Sequence, residues 1–151
     1  MNKWSSIMLL VSAALFVAGV VPIAWERAPA WRVAGQAQFR VDFAHTLRRM
    51  DRLQPALLLV CLVSILGFTA TASDTARTLA AVAAACFLAI LVGSGVGLVP
   101  IQRRLVAGEG LSPAAAEQLK RRWLRGHLLR TVVAVAAFVL LAVAAVACAG
   151  A

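Results

Sequence analysis

Four long apolar runs punctuate the sequence, at residues 5–24, 55–72, 78–100 and 131–149, and none contains a charged side chain. A hydrocarbon layer ~30 Å thick is crossed by ~20 apolar residues in helical conformation, so each run is long enough to span a bilayer. Only residues 73–77 separate the second and third runs. A connection that short, marked by Ser73 and Asp74, makes these two runs antiparallel neighbours. The pattern predicts an all-α fold, a four-transmembrane-helix bundle forming one integral membrane domain over residues 1–151.

The other two connections are longer, and parts of them are periodic. Phe39, Phe43, Leu47, Met50 and Leu53 recur at helical spacing with charges elsewhere around the circle, so the second helix begins well before its apolar run. Ser112 followed by Pro113 supplies an N-cap and the proline favoured at the first helical position. The fourth helix therefore starts near Pro113 and runs almost to the terminus. At ~1.5 Å per residue it is on the order of 55 Å long, about twice the hydrocarbon thickness. Helices two and four are thus expected to extend into the cytoplasm. In the third run, Gly93 and Gly97 stand at the spacing that lets helix backbones approach closely, and they are read as a packing site. No Lys-Ser or Lys-Thr follows this glycine stretch, which excludes a phosphate loop.

Composition agrees with a lipid environment: 62% of residues are hydrophobic and only 14% are charged. A net charge of +9 would suggest nucleic acid in a soluble protein, but the arginines here gather at the ends of apolar runs. The partners expected are membrane lipids, including anionic headgroups, and no nucleic acid. The first long connection carries Arg27, Arg32, Arg40, Arg48, Arg49 and Arg52. The last carries Arg103, Arg104, Lys120, Arg121, Arg122, Arg125 and Arg130. Lys3 and Arg77 are the basic residues left to the opposite face, so both long connections are expected in the cytoplasm and both termini outside. The apolar stretch after Lys3 continues through Ile23, longer than a signal-peptide core, and reads as a retained helix. Alanine-rich, arginine-over-lysine composition suits a GC-rich bacterial genome and an inner (cytoplasmic) membrane destination.

No acidic residue lies in any apolar run, which argues against a proton-coupled exporter or a carboxylate-bridged di-iron centre. Cys61, Cys86 and Cys148 each sit alone in apolar surroundings and read as packing residues, not as redox pairs or metal ligands. Chemistry is then left to the cytoplasmic membrane boundary. There Trp123, His127 and Arg130 lie at i, i+4 and i+7 of one helix and share a face. A tryptophan and an arginine at that depth are also ordinary interfacial anchors, whereas the imidazole is a usable acid or base near neutral pH. His45 could join His127 as a second axial haem ligand, but it precedes its apolar run by ~14 Å along a helix and His127 by far less.

These residues resemble those of the anthrone-oxygenase-like family of small four-span membrane proteins. The resemblance rests on a Pro-Ile/Leu-Asn element ending span three and an Arg-x-x-Trp-x-x-x-His-x-x-Arg run leading into span four. Here they correspond to Pro100-Ile101-Gln102 and to Trp123, His127 and Arg130, with Arg122 and Leu105 in matching places. Gln102 departs from the family asparagine, so its longer amide must take that role or the role is lost. The resemblance implies oxidation of an anthrone carbon to a quinone by molecular oxygen, without cofactor or metal. It casts His127 as the base, with Arg130 and Gln102 stabilising the oxyanion. Trp123 would wall a planar substrate, with Arg122 and Pro100 also contributing to its binding.

Three functional classes stay open at this point. One is a membrane oxygenase acting on an apolar aromatic molecule, another a non-enzymatic binder of a small molecule or lipid, and the third a structural or transport-associated subunit.

Overall fold

The computed structural model describes residues 3–108 and 110–149. The side chains of Lys3, Arg49 and Arg52, counted in the charge asymmetry, lie outside the described ones. The described residues form helices only: α1 (Lys3–Pro22), α2 (Ala28–Val33), α3 (Gln36–Thr69), α4 (Asp74–Gly93), α5 (Val99–Ala107) and α6 (Pro113–Ala149). A π turn at Ile23–Arg27 joins α1 to α2, and a second at Ser94–Leu98 joins α4 to α5. Three stretches are long and apolar enough to cross a membrane: Trp4–Val33, Asp74–Ala107 and Pro113–Cys148. Gln36–Arg48 and Leu53–Thr69 make a fourth if counted as one span, with a 41° bend between them.

Prolines explain where these helices depart from regularity. A proline inside a helix has no N–H to donate, and its ring collides with the carbonyl four residues earlier. Pro29 and Pro100 each follow a π turn and occupy the first turn of the next helix, so the widened turn takes up the clash and the chain continues as a helix. The third apolar run ends at Pro100, but the helix does not end with it and continues to Ala107. In α3 the bend precedes Pro55, where the same clash would fall on the carbonyl four residues upstream.

The four long helices pack in a closed ring, α1 on α3, α3 on α4, α4 on α6 and α6 on α1. Their inward positions recur every three or four residues. Leu9, Ala13, Phe16 and Val20 form the seam of α1, and Ala76, Ala80, Ala83, Phe87 and Ile90 that of α4. On α6 a single seam runs through Lys120, Trp123, His127, Ala134, Ala137, Leu141 and Ala144. Close approach of α4 and α6 rests on these facing alanines. The glycine pair does something else: a Cβ built on Gly93 or Gly97 meets nothing within 4 Å, so the expected packing contact there is absent. Gly126, by contrast, does pack closely on the neighbouring helix, since its Cβ would lie 2.6 Å from Leu98 Cδ2. Val63, Leu66, Val82, Val92, Val96, Val139 and Val146 point outward. Such an apolar exterior suits lipid.

At the end of the ring nearest the π turns, a second core gathers Trp31, Phe39, Phe43, Leu47, Leu105 and Trp123. Trp31 meets Phe43 edge-on with ring centroids 5.3 Å apart, and Phe43 meets Trp123 at 4.8 Å. Trp31 Nε1 donates to Asp42 Oδ2 at 2.6 Å, and Arg27 pairs with the same carboxylate at 3.1 Å. Arg40 Nη2 donates to the carbonyl of Gly108, whose φ of 65° closes the C-terminus of α5. The expected Ser112 cap is formed, with Ala115 N donating to Ser112 Oγ at 3.3 Å.

Two stability measurements in detergent follow. Gly126→Leu forces Leu98 from its seat and should cost roughly 1–3 kcal/mol as overpacking does elsewhere, whereas Gly97→Leu, facing open space, should leave the thermal midpoint nearly unchanged. Asp42→Ala leaves the buried Trp31 N–H without an acceptor and should cost about 1–3 kcal/mol, most of which Asp42→Asn, with its amide oxygen, should recover.

Candidate functional site

Between the alanine seam and the aromatic core lies a cavity of about 350 Å³. It sits where the helices lose regularity: Ile23 and Ser94, Leu98 and Val99 come from or adjoin the π turns, and Pro55 comes from the bend in α3. Most of its wall is apolar, with Phe16, Leu58 and Ile90 prominent. The polar exceptions are few. Gln54, Ser94, Gln102, Arg103, Trp123 and Arg130 all reach it. Ligand pockets commonly have this constitution, a volume of roughly 300–1,000 Å³ and a handful of convergent polar groups on an apolar wall.

Several of those polar groups have no hydrogen-bond partner among the described residues. Both amide atoms of Gln54, the Ser94 hydroxyl and Trp123 Nε1 are buried without a hydrogen bond. Burying such groups unpaired costs on the order of 1–3 kcal/mol each. Their common direction into one cavity fits a ligand that supplies the missing bonds. Gln54 is only 6% exposed, and its amide rests on the backbone of Gly19, where a Cβ would collide with it. The lone glycine in α1 thus gives this amide its place.

His127 is fully buried behind that wall. The Trp123 ring lies flat against its imidazole, with centroids 4.9 Å apart and planes 7° from parallel. Its Nε2 is 3.2 Å from the carbonyl oxygen of Val20 on α1, and its Nδ1 is 3.0 Å from Arg130 Nη2. A carbonyl only accepts and a guanidinium only donates, so both contacts require the same form of the ring: neutral, with the proton on Nε2 and a lone pair on Nδ1. Thr131 Oγ1 donates to the carbonyl of His127, bonding back along α6. One residue at helical spacing thereby ties α6 to α1 and holds the guanidinium at the cavity.

The residues singled out from the sequence are divided by the structure. Trp123, His127 and Arg130 do converge, but within the protein: Trp123 is 2% exposed, so it is no interfacial anchor. Gln102, Trp123 and Arg130 line the cavity. His127 stands one layer behind it, touching it through Trp123 and Arg130. Pro100 and Arg122 line a different, outward groove between α5 and α6. His45 is exposed beside Asp42 on the outer face of α3 and does not approach the buried His127. Gln54, Ser94 and Arg103 were not anticipated. The one available signal was a lone amide, Gln54, beside Pro55 at the mouth of an apolar run.

A family model described as anthrone oxygenase matches residues 43–140, from Phe43 in α3 to Leu140 in α6. That stretch holds every polar residue of the cavity wall named above, together with His127. No curated protein and no solved structure matches the chain. With well over half of its length matched, and the matched part containing the cavity and the histidine behind it, the chain belongs to the anthrone oxygenase family.

Proposed function

We propose that the chain is a membrane oxygenase that takes a planar, oxygen-bearing aromatic molecule into the cavity and oxidises it with molecular oxygen. The observation that carries the reading is the set of unpartnered polar atoms of Gln54, Ser94 and Trp123, facing one apolar cavity beside the Arg130–His127 pair. Oxidation of an anthrone methylene by O₂ yields a ketone and water. Arg130 turns from His127 Nδ1 to the substrate oxygen, where a fixed cation with Gln102 favours the enolate. Nδ1, relieved of its donor, accepts the carbon-bound proton. The enolate gives up its electrons to O₂ as a carbon–oxygen bond forms. Return of the proton gives a hydroperoxide, and loss of water leaves the carbonyl. In this scheme no cofactor or metal is required, and Gln54 and Ser94 bond the far end of the substrate. The setting is a four-helix bundle in the bacterial inner membrane, with helices two and four reaching into the cytoplasm and both termini outside. The basic ends of the connections support that orientation.

One observation favours the second reading, a non-enzymatic binder: both ring nitrogens of His127 are engaged, and the imidazole is not on the cavity wall. The two readings separate in one experiment. Purified protein in detergent is supplied with anthrone and air, and quinone formation is followed by absorbance against protein-free micelles. The oxygenase reading expects quinone above that background and a fall of roughly 10²–10⁴-fold in His127→Ala, the range general-base removal produces. Arg130→Gln should lower turnover with His127 intact, and Gln54→Leu should act mainly on KM. Wild-type protein that retains anthrone without forming quinone would establish the binder instead.

A further inference from the structure

The outward groove has a different character from the cavity. It measures about 640 Å³ and lies between the α4–α5 rod and α6, which run antiparallel. Its apolar half is formed by Gly93, Gly97, Leu129 and Val133, and its other end is bounded by Arg104 and Arg122. The depth comes from the glycines, whose missing side chains leave open space above the backbone. Both arginines are exposed, and among the described residues neither guanidinium has a hydrogen bond or ion pair. Arg27, Arg77 and Arg121 by contrast each pair with a carboxylate. Among the described residues no acidic side chain lines the groove. An apolar trough with two cations at one end is complementary to a molecule with a hydrocarbon tail and an anionic head.

We infer that this groove is a binding site for one anionic phospholipid, its phosphate between Arg104 and Arg122 and an acyl chain along the Gly93–Gly97 face. The site is separate from the cavity, and the inference stands whether or not the protein is an oxygenase. Ile90, Ser94, Leu98 and Arg130 form the wall that groove and cavity share. A seated lipid would therefore press on Leu98, which packs against Gly126, and would close the cavity on that side.

The test is native mass spectrometry of the full chain in detergent, titrated with an equal mixture of dioleoylphosphatidylglycerol and dioleoylphosphatidylcholine. Each arginine near an anionic lipid is worth roughly a fivefold change in partitioning, so the wild type should prefer phosphatidylglycerol by about tenfold or more. Arg104→Gln with Arg122→Gln should bring the two lipids near parity. Arg48→Gln with Arg125→Gln removes the same charge from exposed positions outside the groove and should leave the preference intact. Gly97→Leu fills the trough at unchanged charge and should lose both lipids. Equal retention of the two lipids by the wild type overturns the proposal. So does an equal loss of preference in the two double variants, or full lipid retention by Gly97→Leu.

Discussion

Proline cannot complete a helical ladder, and this constraint organises the molecule. Pro29, Pro55 and Pro100 stand just beyond a π turn or a bend, and elements adjoining all three meet around one cavity. A ring of regular helices with alanine seams would close on itself, as the other half of this one does around Ala80, Ala83, Ala134 and Ala137. Widened turns and a kink hold the backbones apart locally and leave a space that side chains do not fill.

Polar groups in that space are held by a short chain of contacts. Val20 accepts from His127, His127 accepts from Arg130, and Trp123 covers the imidazole face. A buried histidine bonded on both sides has one tautomer, and it orients the arginine that reaches the cavity. Asp42 does similar work at one remove: it anchors Trp31, which packs against both Phe43 and Trp123. The arrangement holds a guanidinium, bonded to His127, on the wall of an apolar cavity.

Outside the cavity the protein presents lipid with an apolar surface and a basic rim. The groove beside α5 combines the two, and it shares a wall with the inner space. The surface that faces the groove and the wall of the cavity are thus two sides of the same few residues.

Much of the fold was legible in the sequence. The four apolar runs, a tight turn between the second and third helices, the helix starting at Pro113 and the helical approach through Phe39 and Phe43 all follow from run length, capping and period. The turn itself falls at residues 70–73, and residues 74–77, expected in it, are the first turn of α4. The face bearing Trp123, His127 and Arg130 was legible as well, because 3.6-residue spacing fixes which side chains stand together on a helix. What covers that face was decided by tertiary structure. In a soluble protein an apolar stripe marks the inside, but lipid makes the outward face equally apolar, so periodicity cannot separate core from exterior. For that reason Trp123 looked like an anchor and is core, Gly93 and Gly97 looked like a packing site and form an open groove, and Gln54 gave little sign of its place in the cavity. The sequence by itself determined the helices, their connections and the residues able to do chemistry. Only the packing of α1, α3, α4 and α6 decided which of those residues face the cavity, because the same seam that buries an alanine at one level buries a histidine at another.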